Sequence, residues 1–413
     1  MGSQNLPLVS IITPSFNQAA FIRQTIESVR SQDYPNIEHI VVDGGSTDGT
    51  LEILQEYAHE KQRFRFVSEP DRGQSHAINK GLALAKGQII GWLNSDDKYL
   101  NGAVGKAIHA LQTNPQWSMV YGNALHINAE DKITSVYPTK PFSRQALFLF
   151  CIICQPTAFI RKEVFQSVGG VDENLHYCMD YDLWMRLSKT HQVGYIQDFL
   201  AASRLHAACK SVALEVDLGL PEILLASVRH FGTVASQWLY HFLTHYPNKG
   251  VLWYLDLFKS HRVFGNTPLL VDSNRHASFW VPPRYRMQLL IDPVQPMHAL
   301  VIKGINTLFN QPVHVHVMVD QMPTAHHVIP AGHFETSIVF PVTAPNAVVE
   351  LVCSRQQILP DTEMAASFGT VSFQVQNAMP LSAQEYQFYL EYKKNPRDVA
   401  NWLLKNRQPV PSL

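Results

Sequence analysis

Four apolar runs in the first hundred residues each end in a short polar segment, and this repeated pattern constrains the fold more than any other feature. The runs cover residues 8–13, 37–43, 64–69 and 89–94, with amphipathic stretches near 21–30, 50–59 and 75–85 between them. Apolar runs of this length predict strands, and their alternation with helices predicts a mainly parallel sheet covered by helices on both faces. We therefore expect an α/β domain over residues 1–211.

The polar segments should meet at one edge of this sheet. Ligands of such sheets bind beyond the carboxyl ends of the strands, where the connecting loops form a crevice. The segments that follow the predicted strands are Thr13–Ser15, Asp43–Ser46, Glu69–Asp71 and Asn94–Asp97. We expect them to converge on one site.

Beyond this domain the sequence pattern changes twice. Residues 212–264 carry large apolar side chains at spacings of three and four, which predicts a helical connector packed on the first domain. Residues 265–380 alternate apolar and polar positions between Pro and Gly, which predicts an all-β sandwich module, and 381–413 predict a helical tail. His314 and His316 share one strand face, which a solvated sandwich surface explains better than a metal site.

Charge and cysteine content exclude several classes of partner. The 33 Lys and Arg nearly balance the 34 Asp and Glu, so we expect neither a nucleic acid nor an anionic membrane as the main partner. Five cysteines are odd in number and sparse, which favours a reducing cytoplasm, and Cys151 and Cys154 lie in an apolar segment typical of core. We find no signal or transmembrane pattern, so any contact with the inner face of the membrane would be peripheral.

Adjacent carboxylates at Asp96 and Asp97 give the strongest chemical signal. Two acids directly after an apolar strand are costly to hold together unless a cation neutralises them, which predicts a site for Mg²⁺ or Mn²⁺. A polar turn with Asp97 near the start of a helix explains the same residues without a metal. The residues alone leave both interpretations open.

Two other strand ends carry acids. Asp43 precedes two glycines that leave room for a ligand, and its carboxylate can accept from a base N–H or a ribose hydroxyl. Asp71 and Arg72 follow the next strand, where the guanidinium suits a phosphate and the carboxylate a nucleoside. A turn aspartate and a surface ion pair are the structural alternatives.

Asp180 and Asp182 open a later amphipathic helix and cannot share one face of it. Asp182 lies four residues before Arg186, so a helix-surface ion pair accounts for it. Asp180 is left as a helix cap or as a general base, provided that it lies in the same crevice. His206 follows the last predicted strand and is a candidate metal ligand, although a lone histidine is more often structural.

Four segments, taken in order, resemble the family-two inverting glycosyltransferases of the GT-A fold over roughly residues 7–210. They are Ser10–Asn17, Val41–Thr50, Asn94–Asp97 and Met179–Asp182. The resemblance implies a metal-dependent enzyme, of the hexosyltransferase class, that moves a sugar from a UDP-, GDP- or dTDP-sugar to a hydroxyl of a saccharide or glycolipid acceptor. It also implies a place in cell-surface polysaccharide or glycolipid synthesis. The second half resembles sandwich modules appended to some bacterial glycosyltransferases.

The resemblance also implies roles for individual residues. Asp180 is the expected catalytic base, and Asp96 and His206 are the expected metal ligands. The expected donor-binding residues are Pro14, Ser15, Asp43, Asp71, Arg72, Asn94, Ser95 and Asp97. The implied reaction is a direct displacement that inverts the anomeric carbon.

Two departures from the family pattern bear on activity. Asn94 replaces the usual first aspartate of the metal motif, and Ile78 stands where many members carry an arginine that faces the nucleotide. These departures are the only support for an alternative, a degenerate transferase that acts as a carbohydrate-binding or assembly protein, and the retained Asp43, Asp96 and Asp180 argue against it. A nucleotidyltransferase is a further alternative, but the segment Thr13–Gln18 lacks the glycine-rich phosphate loop that it needs.

Overall fold

The protein forms two compact units, which divide between His245 and Tyr246. The computed structural model describes residues 6–59, 63–232, 234–245, 250–260, 268–270, 279–291, 295–307, 311–358 and 370–395. The division falls inside the 212–264 segment that we predict as a helical connector. The first two long helices of that segment therefore belong to the first unit and the third to the second unit.

Unit 1 is built on one mixed sheet. Its described strands are β1 Val9–Ser15, β2 Ile37–Asp43, β3 Phe64–Ser68, β4 Ile89–Trp92, β5 Lys98–Tyr99, β6 Trp117–Ile127, β7 Ile133–Val136, β8 Phe159–Arg161 and β9 Gln192–Arg204. They lie in the order β3-β2-β1-β4-β8-β6-β9-β5, with β7 paired to β6. The first four strands are mutually parallel, and β6 is parallel to β9. The prediction of a mainly parallel GT-A sheet is confirmed.

Helices cover both faces of this sheet. They are α1 Ile22–Arg30, α2 Thr50–Tyr57, α3 Gln74–Leu84, α4 Ala103–Thr113, α5 Arg144–Leu149, α6 Lys162–Ser167, α7 Met179–Leu187, α8 Lys210–Ala213, α9 Leu220–Phe231 and α10 Ser236–His245, with a π-helical turn at Glu215–Gly219. The first four strands and first three helices match their predicted bounds to within two residues.

Burial explains why these patterns were readable in the sequence. Every residue of β1 is buried, because a central strand has helices on both faces and therefore reads as a continuous apolar run. Helix α1 buries only Ile22, Thr25, Ile26 and Val29, which recur at the spacing of one helix face. Apolar residues of α9 also pack into the core of unit 1.

Unit 2 contains two antiparallel sheets. Its described elements are α11 Val251–Ser260, β10 Leu269–Leu270, β11 Phe279–Val281, β12 Arg284–Leu290, β13 Met297–Asn306, β14 Val313–Val319, β15 Met322–Ile329, β16 Gly332–Val342, β17 Val348–Cys353, β18 Gln357–Ile358, β19 Thr370–Val371, β20 Phe373–Ser382 and α12 Ala383–Lys394. The sheets have the orders β10-β12-β17-β14-β15 and β11-β20-β13-β16, and one apolar core contains side chains from both. The predicted C-terminal sandwich is confirmed.

The residues of strand β14 alternate between the buried and the exposed face of its sheet. Val313, Val315 and Val317 are buried in the core, whereas His314 and His316 are exposed on the other face. The described residues contain no group of three or more metal-ligating side chains arranged to hold an ion. Most of the predicted tail, from residue 396 onward, lies outside the described residues. None of the described helices has the length and apolar content needed to cross a bilayer.

Candidate active site

Asp43 organises the turn that follows β2. Its fully buried carboxylate accepts from the backbone N–H of Gly45 and Ser46 at 3.1 and 3.0 Å. The hydroxyls of Ser46 and Ser68 donate to it at 2.5 and 2.7 Å. These four bonds fix the loop at the carboxyl edge of the sheet. The position is as predicted, and the role in binding a donor stays a prediction.

The loop after β3 lies against this turn. A Cβ placed on Gly44 would come within 2.9 Å of the Asp71 carboxylate, so a larger residue at this position would displace that side chain. Asp71 itself accepts from the N–H of Gly73, a residue whose φ of 106° also favours glycine. Arg72 is exposed and pairs with Glu173 at 2.5 Å. Asp71 therefore faces the turn of Asp43, whereas Arg72 is paired with Glu173.

Asn94 is held by three neighbours after β4. Its side-chain carbonyl accepts from Trp92 Nε1 at 2.9 Å and from Gln74 Nε2 at 2.8 Å, and its amide donates to Asp97 at 3.4 Å. An aspartate here would place a second charge beside Asp97. The presence of an asparagine at position 94 therefore has a structural explanation that does not depend on metal binding.

Asp96 and His206 meet, as the sequence suggested. Their Oδ2 and Nε2 atoms lie 3.2 Å apart, and both side chains are partly exposed. The His206 ring packs against Phe21 with ring centroids 4.8 Å apart, which fixes its orientation. Two such atoms suit adjacent positions around one divalent cation, for which a bound diphosphate and water can supply the other ligands.

Arg204 is the residue of this site that sequence reasoning missed. Its side chain is fully buried, and Nε donates to the backbone carbonyl of Asp96 at 2.8 Å. The guanidinium also bonds Asp131 at 2.6 Å and Gln24 at 2.7 Å. Its backbone N–H donates to Asp97 at 2.8 Å. A single arginine at the end of β9 therefore holds the acidic turn in place, and its position two residues before His206 was the available signal.

Asp97 points inward. Its side chain is buried, and this burial, followed by the neighbouring charge of Asp96, holds the pKa of the Asp97 carboxyl well above its usual range. The two adjacent acids thus have different surroundings. Asp96 faces His206, whereas Asp97 bonds the backbone of β9.

Asp180 lies in the first turn of α7 and is a partly exposed residue. One oxygen accepts from the N–H of Tyr181 at 2.8 Å, and no other side chain in the described part of the chain bonds to the carboxylate. Burial raises the pKa of Asp180 to about 6. An acid with a pKa in this range can take a proton near neutral pH.

Cys151 and Cys154 lie in the segment that follows α5. Burial raises the pKa of the Cys154 thiol, and the negative charges of Asp97 and Asp180 raise it further. Both cysteines are free thiols with raised pKa values, in agreement with their interpretation as core residues.

Asp182 forms the ion pair with Arg186 that its spacing predicts, but its carboxylate is buried and does not lie on the helix surface as expected. Its fully buried carboxylate accepts from Arg186 Nε at 2.7 Å and lies 2.6 Å from His230 Nε2. These partners, despite burial, hold the pKa of Asp182 below its usual range. The two acids of α7 therefore have the separate surroundings expected for them.

Glu222 on α9 is a second residue that the sequence did not reveal. Its buried carboxylate accepts from the N–H groups of His176, Tyr177 and Cys178 at 2.8, 2.8 and 3.0 Å. These groups immediately precede α7 and would otherwise lack partners at its start. A helix of the predicted connector thus fixes the entrance to the Asp180 turn.

The remaining candidates occupy the same edge or the core. Pro14 and Ser15 end β1, and the buried Ser15 hydroxyl has no hydrogen-bond partner among the described residues. The Ser95 carbonyl accepts from the Thr25 hydroxyl at 2.8 Å. Ile78, which stands where many family members carry an arginine, is completely buried in the apolar core. Its isoleucine fills a space in which an arginine would be unsolvated.

Residues 10–169 match the family model described as Glycosyl transferase family 2. The first unit therefore contains a segment that is similar to the family 2 glycosyltransferases, and we call it the family 2 domain. An uncharacterized glycosyltransferase of Rickettsia prowazekii is 32% identical over 210 residues, which cover 49% of this chain and 65% of that protein. Chondroitin synthase of Escherichia coli is 30% identical over 51% of this chain and 30% of its own length. The chain thus spans less than two thirds of either relative.

Solved structures are similar to the family 2 domain at lower identity. S. aureus TarS in complex with UDP-GlcNAc is 18% identical, covers 61% of this chain and 73% of that chain, and has a TM-score of 0.46. A mannosyltransferase from Pyrobaculum calidifontis in complex with GDP-Man and Mn²⁺ is 19% identical, covers 60% and 66%, and has a TM-score of 0.41.

Proposed function

We propose that the family 2 domain transfers a sugar from a nucleotide-diphosphate donor to an acceptor hydroxyl, with inversion at the anomeric carbon. Asp180 carries this proposal: it is a partly exposed acid in the first turn of α7, its carboxylate accepts one backbone hydrogen bond, and burial raises its pKa to about 6. The match to the family supports the reaction class. The similarity to a chondroitin synthase supports a role in polysaccharide synthesis.

In this proposal the donor nucleoside lies against the turns of Asp43 and Asp71. Asp180 accepts the proton of the acceptor hydroxyl as its oxygen attacks the anomeric carbon. The bond between that carbon and the diphosphate oxygen breaks on the opposite side, and the electron pair leaves with the nucleoside diphosphate. The product bond therefore has the anomeric configuration opposite to that of the donor.

A divalent cation, Mg²⁺ or Mn²⁺, would be held by Asp96 and His206 and, when bound, would neutralise charge on the diphosphate. The 3.2 Å separation of their ligand atoms fits this assignment. Arg204 positions Asp96 through the backbone of the turn. The cytoplasmic location stays a prediction.

Thermal shift of the full chain with UDP, GDP, CDP and dTDP, with and without Mn²⁺, tests the donor site. We expect one nucleotide to raise the melting temperature only with the metal, and Asp96→Ala and His206→Ala to lose this dependence. Lys106→Ala, in an exposed ion pair with Asp198, is a matched control that should behave as the wild type.

An activity assay distinguishes an active enzyme from a degenerate transferase. The protein is incubated with oligosaccharide acceptors and with sugar donors that carry the nucleotide it binds. NMR then reports the anomeric configuration of the product. Release of free nucleotide with an inverted product supports the proposal. Binding of saccharide without binding of any nucleotide would instead favour the carbohydrate-binding alternative.

A further inference from the structure

Three histidines lie together on the exposed face of the five-stranded sheet of unit 2. His314 and His316 alternate with buried valines along β14, and His326 lies on the neighbouring strand β15. The pairing of the two strands places His316 directly opposite His326. The ring centroid of His326 lies 5.2 Å from that of His314 and 4.8 Å from that of His316. We call these three residues the histidine cluster.

Two of the three rings are in direct contact through their nitrogen atoms. Nδ1 of His314 lies 3.1 Å from Nε2 of His326. A hydrogen bond between two ring nitrogens needs a lone pair on one of them, so at least one ring is neutral, and a neutral imidazole is the form that binds a metal. Two nitrogens that bind one tetrahedral zinc ion are separated by about 3.3 Å, since each lies about 2.0–2.1 Å from the metal. The pair therefore needs little movement to hold one ion.

The backbone beneath the cluster is held in place on both sides. Strand β14 is paired with β15 along one edge and with β17 along the other. The His314 N–H donates to the Ser354 hydroxyl at 3.0 Å, and the Ser354 N–H donates to the His314 carbonyl at 2.8 Å. The irregularity in the pairing of β14 with β15 follows Val317 and lies beyond the cluster. This backbone fixes the spacing of the three side chains, so only their rings need to move for binding.

His316 becomes a third ligand only after its ring turns. The three rings as they stand are not arranged around one point. All three residues are exposed, and exposed side chains change rotamer within about nanoseconds, so this rotation is accessible. On its other side His316 is paired with Val352 of β17, whose side chain offers no competing polar group. Three imidazoles leave the fourth position of a tetrahedral ion to water.

We propose that the histidine cluster binds one Zn²⁺ ion per chain through His314, His316 and His326. The ion links the edge strand β15 to β14, because its ligands come from both strands. Imidazole nitrogens favour Zn²⁺ and other transition metals, whereas Mg²⁺ prefers oxygen ligands. This site is separate from the one proposed at Asp96 and His206, and it does not depend on sugar transfer.

Isothermal titration calorimetry of the full chain with Zn²⁺ tests the cluster. The parent protein carries Asp96→Ala and His206→Ala, so that the metal site of the proposed reaction does not contribute. We expect one Zn²⁺ per chain and no binding of Mg²⁺. The affinity for Zn²⁺ should fall about 100-fold after His314→Ala or His326→Ala, and about tenfold after His316→Ala, because each change removes one of several ligands held on the same chain.

His333→Ala is the matched control, because His333 is an exposed histidine on the other sheet of the same unit. It should bind Zn²⁺ as the parent does, and circular dichroism should show that every variant is folded.

Two results would overturn the metal site. One is a parent protein that binds Zn²⁺ no more tightly than the His314→Ala/His326→Ala double variant, which would leave only a hydrogen-bonded pair on a solvated sheet face. The other is an unchanged affinity in folded His316→Ala, which would exclude the three-histidine arrangement.

Discussion

The two aspartates of helix α7 lie on different sides of the helix and have different surroundings. On the cleft side, Asp180 is partly exposed, has one backbone hydrogen bond and a pKa raised to about 6. On the core side, Asp182 is fully buried, bonded to Arg186 and His230, and its pKa is lowered. The two acids are two residues apart, yet one has a single backbone hydrogen bond and the other is paired with two side chains. Partners, and not burial alone, decide which acid can accept a proton.

Asp180→Asn should have the largest effect. We expect kcat to fall about 10³-fold, since the amide cannot accept the proton, while nucleotide binding stays nearly intact. In the folded protein the pKa of Asp180 lies above its usual value. Ionisation of Asp180 therefore lowers the free energy of unfolding as the pH rises from about 4 to 6, and the full loss of stability is present above that range. The variant should therefore be more stable at pH 7.5, by on the order of 2 kcal/mol.

Calorimetry and single-turnover kinetics check both parts of this prediction. Normal turnover would remove Asp180 as the base. A loss of stability would show that its carboxylate is a structural group like that of Asp182, and the contrast between the two sides of α7 would not hold.

Asp182→Asn should affect the core side in the opposite way. It leaves Arg186 and His230 beside a neutral group, and breaking a buried ion pair from one side costs about 3 kcal/mol. Urea unfolding measures this change. Asp172→Asn, in the partly exposed pair with Arg229, is the control and should cost about 0.5 kcal/mol or less. Equal effects would contradict the contrast.

The pH dependence of kcat/KM sharpens the contrast on the cleft side. Asp180 must be ionised to act as a base, so activity should fall about tenfold per pH unit below its pKa of about 6. The rate at pH 5 compared with pH 7.5, at saturating metal, measures this. An acidic limb set near pH 4 would mean that Asp180 is not the titrating group.

Glu222→Gln tests the hydrogen bonds by which α9 holds the start of α7 in place. The amide has one acceptor oxygen for three backbone N–H donors, so we expect a loss of about 1–2 kcal/mol in stability. Turnover should fall about tenfold, because the entrance to the Asp180 turn loosens. Glu163→Gln, at an exposed glutamate in the first turn of α6, should change neither quantity. Loss of stability with full turnover would limit Glu222 to a structural role.

The sequence by itself determined the strands, the helices and the side of the sheet at which acids collect. These features follow from local periodicity, because a buried strand reads as an apolar run and an amphipathic helix repeats every three to four residues. Asp43, Asp96 and Asp180 could therefore be chosen as candidates, and the pairing of Asp182 with Arg186 follows from helix geometry alone.

Only the tertiary structure decided the surroundings of each of these acids. Arg204 lies 107 residues from Asp97, and Glu222 lies 44 to 46 residues from the N–H groups that it accepts from. No periodic pattern links such positions, and neither residue stands out in a sequence. The burial of Ile78 was equally invisible, because the face of a helix that meets the core depends on how that helix packs. The charge state of Asp180 is set by the same long-range packing, since desolvation depends on every element that surrounds it.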